Sequence, residues 1–196
     1  MEISKLKDGG LIFKTKDANF AIDPAMKGEK MSADALSTDF ALSSEPNLET
    51  QLYGEKARLF SWPGEYEVKG IAVHAHPVAA NDKKTQNPLL FVVYTDSAKI
   101  CYLPELKEEM HSDLIEKIGD VDLLVFPASG NDKVWHATIE EIEPKGILPI
   151  TTSDSSVSID AFLSKLGQAK PEASDKVSLK NKSDLRSDQA SVFLLA

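Results

Sequence analysis

Short apolar runs punctuated by turn residues dominate the first half of the chain. Ile3 and Leu6, then Leu11-Ile12-Phe13, then Phe20-Ala21-Ile22 are separated by Asp8-Gly9-Gly10 and Lys16-Asp17-Ala18-Asn19. Gly-Gly and Asp/Asn clusters favour tight turns, so residues 2–23 predict three short strands. Residues 24–38, with Gly28 and several lysines, read as a surface loop. Asp39 to Ser43 predicts a strand, and Asn47 is placed to cap a helix running to Tyr53. Arg58 to Ser61, Tyr66 to Val68 and Ile71 to Ala75 predict strands broken by Pro63-Gly64 and by Gly70. Beyond a polar loop over residues 77–87, Leu89 to Tyr94 and Lys99 to Leu103 predict a hairpin turning at Thr95-Asp96-Ser97.

The pattern then changes period. Leu106, Met110, Leu114 and Ile118 recur every fourth residue, which predicts one helix over 106–118 stopped by Gly119. Val121 to Phe126 is nearly all apolar and predicts a strand buried on both faces. Val134 to Ile142 predicts a helix ending before Pro144, Gly146 to Ile150 a second buried strand, and Ser158 to Leu166 a helix stopped by Gly167. Near the C-terminus, Val177-Ser178-Leu179 and Val192 to Leu195 predict a closing hairpin over a sheet edge. Strands first, then strand-helix alternation, suit two packed sheets with helices outside them.

A length of 196 residues fits one domain spanning 1–196. An apolar content of 42% with 27% charged residues supplies enough nonpolar side chains for a sizeable core. The net charge of −9 excludes nucleic acid and an anionic membrane surface as electrostatically driven partners. The expected partner is a protein or a small ligand, with oligomeric state left open. The single cysteine, Cys101, sits in the apolar run Lys99 to Leu103, so it reads as a buried strand residue and no disulfide forms within the chain. No apolar run approaches the ~18 residues of a membrane helix, and Met1 to Asp8 lacks a signal-peptide core. The expected compartment is the cytoplasm.

Candidate chemistry is sparse. His74 and His76 are two apart, so on a strand they share a face, but a metal would need a further ligand from elsewhere. His111 and His136 fall in predicted helices and read as surface or capping residues. Trp62 and Trp135 read as core aromatics, with ligand anchoring as the alternative. The hydroxyls of Ser43, Ser44 and Thr151 to Ser153 lie in no Gly-x-Ser-x-Gly context, and Gly9-Gly10 precedes a strand rather than a phosphate-binding helix.

Four segments fall in the order of a known family. Ser61 to Val73 (SWPGEYEVKGIAV), Ile22-Asp23-Pro24, Val121 to Pro127 (VDLLVFP) and Glu143 to Ile150 (EPKGILPI) together resemble the metallo-β-lactamase superfamily, in its Zn-dependent hydrolase branch. The resemblance runs over residues 2–166 and implies an αββα sandwich. It also implies where a zinc site should be. The family's Thr-His-x-His-x-Asp-His loop corresponds to Ser43 to Glu49, which puts Ser44, Pro46 and Glu49 at histidine positions and Leu48 at the aspartate. The next histidine falls near Ala80 or Asn81, the bridging aspartate at Glu105, and the final histidine at Thr151.

Proline and leucine offer no donor atom, and serine is a weak ligand. The chain therefore resembles a degenerate member without the metal-binding His/Asp motif. The expectation is a metal-free, non-catalytic binding or structural partner, with no catalytic residue, no cofactor and no zinc. The alternative is a hydrolase with a rearranged, acid-rich metal site. Its fallback ligands for a hard cation such as Mg²⁺ or Ca²⁺ are Glu45, Glu49 and Glu105, from a rim that also holds Asp23 and Glu65. Asp23 itself reads as a turn or hydrogen-bonding residue.

Overall fold

A computed structural model describes residues 1–6, 10–24, 37–45, 58–78, 87–151, 158–185 and 190–196. The predicted helix from Asn47 and most of the 24–38 and 77–87 loops lie outside these residues. Two mixed sheets pack face to face. The first is built from β1 (Glu2–Lys5), β2 (Leu11–Lys14), β3 (Asn19–Ile22), β4 (Phe40–Leu42), β5 (Arg58–Phe60) and β12 (Lys176–Ser178), in the order β12-β1-β2-β3-β4-β5. The second holds β6 (Gly64–Val68), β7 (Ile71–Pro77), β8 (Leu89–Tyr94), β9 (Lys99–Tyr102), β10 (Leu123–Pro127), β11 (Gly146–Ile150) and β13 (Ser191–Val192), in the order β13-β11-β10-β9-β8-β7-β6. Helices α1 (Ser112–Ile118), α2 (Asp132–Ile142) and α3 (Ile159–Lys165) cover the second sheet's outer face.

Strand alternation divides the core in two. Leu11, Phe13, Phe20, Ile22, Phe40 and Leu42 point between the sheets, towards Val73, Phe91, Ile100, Leu123 and Val125. Registered partners bring aromatic rings together: Phe13 stacks on Phe20 at 4.7 Å and Phe20 on Phe40 at 5.1 Å between centroids. The intervening Ile12, Ala21, Ala41 and Leu59 face the other way and are also buried. On the far side of the second sheet, Val92, Cys101, Leu124, Phe126 and Ile147 pack under Ile118, Trp135, Ile139 and Phe162. Both predicted central strands are interior, since β10 lies between β9 and β11, and β11 between β10 and β13.

Two family motifs have a structural use here. Asp122 is buried at the mouth of β10, where one carboxylate oxygen accepts from the Lys99 amide at 2.8 Å and the other from Lys145 Nζ at 2.7 Å. Lys145 immediately precedes β11, so this pair ties together the entrances of β10 and β11, where Leu123 is registered with Gly146. Its ammonium is held above its usual pKa by the Asp122 carboxylate.

Several expectations need correction. The fourfold recurrence from Leu106 is real burial but not one helix. Residues 103–111 are irregular, and only Ser112–Ile118 is helical. Leu103 first donates to the Val125 carbonyl, continuing the sheet, and the chain then crosses to the outer face, burying Leu106 and Met110 on the way. The strands do break at Pro63 and at Gly70, but β6 begins at Gly64 rather than Tyr66, and β7 runs on to Pro77 rather than ending at Ala75. The C-terminal hairpin does not form. Lys176–Ser178 pairs antiparallel with β1, and Ser191–Val192 pairs parallel with β11, so the two segments extend edges of different sheets. Gly146 permits the second pairing: a Cβ there would come within 2.9 Å of Leu185 and 3.1 Å of Phe193. Among the described residues, no helix is long and apolar enough to cross a membrane.

Leu124 is fully buried between β9 and β11. Leu124→Ala should cost about 2–5 kcal/mol in urea unfolding, as lost transfer energy plus a cavity. A loss within 0.5 kcal/mol, the range of an ordinary surface change, would contradict this placement.

Candidate functional site

The carboxyl ends of β3, β4, β9, β10 and β11 meet at one end of the sandwich. Asp23 follows β3 there with a left-handed backbone (φ 46°). Its amide donates to the Leu42 carbonyl at 2.9 Å. Gly10 makes this turn possible, since a Cβ on it would lie 2.2 Å from the Asp23 carbonyl oxygen. Asp23 Oδ1 accepts from the Ser44 amide at 2.6 Å, while Oδ2 accepts from Ser44 Oγ at 2.6 Å and from the Tyr102 hydroxyl at 2.7 Å. Tyr102 is on β9 of the opposite sheet, so one carboxylate joins both sheets. Ser44 extends the link, because its carbonyl accepts from the Leu89 amide at the head of β8.

Burial pushes the Asp23 carboxyl above its ordinary pKa, and the Glu45 charge adds to this. The Ser44 and Tyr102 bonds oppose the rise by stabilising the carboxylate. The Tyr102 phenol is driven well above its usual range, first by burial and then by Asp23. It therefore keeps its proton and remains a donor to Asp23.

The remaining sequence candidates are spread around this end. Glu105 is exposed, and its Oε2 accepts from Ser129 Oγ at 2.7 Å. Trp135, fully buried, braces the same loop by donating from Nε1 to the Ser129 carbonyl at 2.7 Å. Glu45 is exposed beside Asp23. Glu49, Pro46, Leu48, Ala80 and Asn81 lie outside the described residues. Lys5 Nζ donates to Thr151 Oγ1 at 3.3 Å and to the Leu195 carbonyl at 3.2 Å. An ammonium thus stands beside Thr151, where the resemblance puts a histidine, its pKa lowered by burial.

The histidines are elsewhere. His74 and His76 share a face of β7, their ring centroids 6.4 Å apart, with Glu65 paired across from His74. His111 is the residue before α1, and His136 packs on Phe162 at 4.8 Å. Glu65 is on β6, at the edge of the second sheet. Cys101 is buried, and burial pushes its thiol up to about 12. The two tryptophans part company: Trp135 is core, whereas Trp62 is 56% exposed. Sequence reasoning missed Lys5 and Tyr102. The available signal for Tyr102 was alternation in β9, which turns Ile100 and Tyr102 to the inner face and Cys101 to the outer one.

A model of the beta-lactamase superfamily domain matches residues 2–151. The chain belongs to that family, as a degenerate member lacking the metal-binding His/Asp motif. Among solved structures it is similar to a protein described as a Zn-dependent hydrolase of the metallo-β-lactamase superfamily from Thermotoga maritima. The identity is 18%, the TM-score 0.77, and the match covers 100% of this chain and 99% of that one. A metallo hydrolase from Ignicoccus hospitalis and an isothiocyanate hydrolase from Delia radicum gut bacteria each match at 11% identity and a TM-score of 0.61, over 91% of this chain and 99% of theirs. No curated protein sequence matches. At these identities the solved structures show the fold alone.

Ser44 and Thr151, described residues at ligand positions that the resemblance implies, do not fit a zinc centre. Ser44 is bonded to Asp23 through its hydroxyl, Pro46 and Leu48 carry no donor atom, and Thr151 faces an ammonium. Among the described residues, no three His, Cys, Asp or Glu side chains come together to hold a metal ion.

Tyr102→Phe removes one bond to a charged acceptor and should cost about 1.5–3 kcal/mol. It should also move the Asp23 carboxyl midpoint, followed by carboxyl ¹³C shifts, further upward, because a bond favouring the carboxylate is gone. A carboxyl whose folded pKa exceeds its unfolded one holds its proton more tightly when folded. Its contribution to stability is present at acidic pH and is lost as pH rises from the unfolded midpoint through the folded one. An Asp23 midpoint below the ordinary aspartate range would contradict this.

Proposed function

We propose that this protein is a metal-free, non-catalytic relative of the metallo-β-lactamase-fold hydrolases that acts as a binding or structural partner. One observation carries the reading: Asp23 spends its carboxylate on Ser44 and Tyr102, and Ser44 is the residue for which the resemblance implies a histidine ligand. The hydroxyl that replaces a ligand is engaged in closing the end of the sandwich. Lys5 at Thr151 supports it, since a half-buried ammonium and a divalent cation repel at close range. Family hydrolysis relies on a metal-bound water whose pKa falls to about 7. Among the described residues, the cysteine and the serine at this end offer no equivalent nucleophile: Cys101 is buried with a raised pKa, and the Ser44 hydroxyl is bonded to the Asp23 carboxylate.

Protein purified without chelator should contain well under one equivalent of zinc, iron or manganese by elemental analysis. It should show no phosphodiesterase, lactonase or β-lactamase turnover above background, with or without added Zn²⁺ or Mn²⁺. The combined variant Ser44→His, Pro46→His, Leu48→Asp, Glu49→His and Thr151→His should bind zinc more tightly than the natural chain. One equivalent of tightly held zinc in the natural chain would overturn the reading.

A further inference from the structure

We propose that β6, with Trp62 at its head, is a docking edge for an extended cationic segment of a partner protein, which adds to the second sheet as one further strand. This names a partner class for the binding role proposed above and rests on it. β6 ends its sheet: Gly64 to Val68 pair with Ala75 to Ile71 of β7 on one side, and no described strand pairs on the other. Gly64, Glu65 and Glu67 are exposed. An edge strand presents a row of backbone donors and acceptors that fits a second extended chain.

Trp62 is the one exposed large hydrophobic side chain among the described residues. Its position is fixed from below. The Tyr66 hydroxyl donates to the Trp62 carbonyl at 2.6 Å, and the Tyr66 ring packs on Phe60 at 4.4 Å. Phe60 meets Phe40 at the end of the core aromatic row. An exposed indole on a braced turn beside an open edge is an anchor for a bound chain.

Charge selects the occupant. Alternation puts Glu65 and Glu67 on one face of β6, with Tyr66 and Val68 on the other, packed against the core. Lys69, the next cation in sequence, is paired with Asp39. An incoming strand therefore meets carboxylates on one face and apolar surface on the other, which fits Lys or Arg alternating with apolar residues. A second copy does not fit, because two antiparallel β6 edges would line up four carboxylates on one face.

The probe is a capped eight-residue peptide of alternating Lys and Val, read by Trp62 emission, with buried Trp135 as a constant background. The Lys/Val peptide should saturate, shift the emission to shorter wavelength and bind at least about tenfold more tightly than a Glu/Val control. Glu65→Lys with Glu67→Lys should reverse that preference. Glu140→Lys with Glu141→Lys, an equal charge change on exposed positions of α2, should leave it unchanged. Equal affinity for the two peptides, no saturation up to about 1 mM, or the same response to both double variants would overturn the proposal. So would a dimer of the free chain that the peptide dissociates. Metal content measured on the same sample separates the failures. A zinc-free sample that ignores the peptide sinks the docking edge alone, whereas bound zinc sinks the metal-free reading whatever the peptide does.

Discussion

The Asp23 carboxylate holds one end of the sandwich together. It takes two hydrogen bonds from Ser44, at the end of the first sheet, and one from Tyr102 in the second. A half-buried carboxylate needs such partners, since unpaired burial of a charge is costly. The geometry that supplies them is itself constrained. Asp23 turns through a left-handed conformation against Gly10, and Ser44 is tied to Leu89. Ser44, in the loop that the resemblance assigns to metal ligands, is thereby bonded into the fold.

The family's motifs survive unevenly, and the division follows their physical roles. Asp122 and Lys145, from the Val-Asp-Leu-Leu and Glu-Pro-Lys segments, bridge the mouths of β10 and β11. Asp23 keeps its place as a crosslink. These are scaffold functions and work without a metal. The positions that the resemblance assigns to metal ligands hold Ser44, Pro46, Leu48, Glu49 and Thr151 instead. A superfold can keep its architecture while its site changes character.

Much of the fold was legible because the two sheets impose simple alternation. Leu11 to Phe13, Phe20 to Ile22 and Leu89 to Tyr94 read as strands and are strands. Ser158 and Gly167 bracket α3 as its cap chemistry implies. Burial without regular structure was not legible. Leu106 and Met110 keep helical spacing in an irregular crossing, because both reach the same outer face as Leu114 and Ile118. The two C-terminal strands looked like a hairpin, yet pairing partners depend on distant edges that local sequence does not encode. At the site, sequence identified Asp23 as a bonding residue but not Tyr102 or Lys5, whose partners are 79 and 146 residues away.

Among the described residues, β6 ends its sheet and the exposed Trp62 stands at its head. The central claim is that Asp23 and Ser44 hold each other rather than a cation. Zinc titration into protein carrying ¹³C-labelled carboxyls tests this most directly, with the Asp23 carboxyl and the Ser44 and Tyr102 amides as reporters. These signals should stay fixed through one equivalent of Zn²⁺. A stoichiometric, saturating shift of the three together would contradict the account.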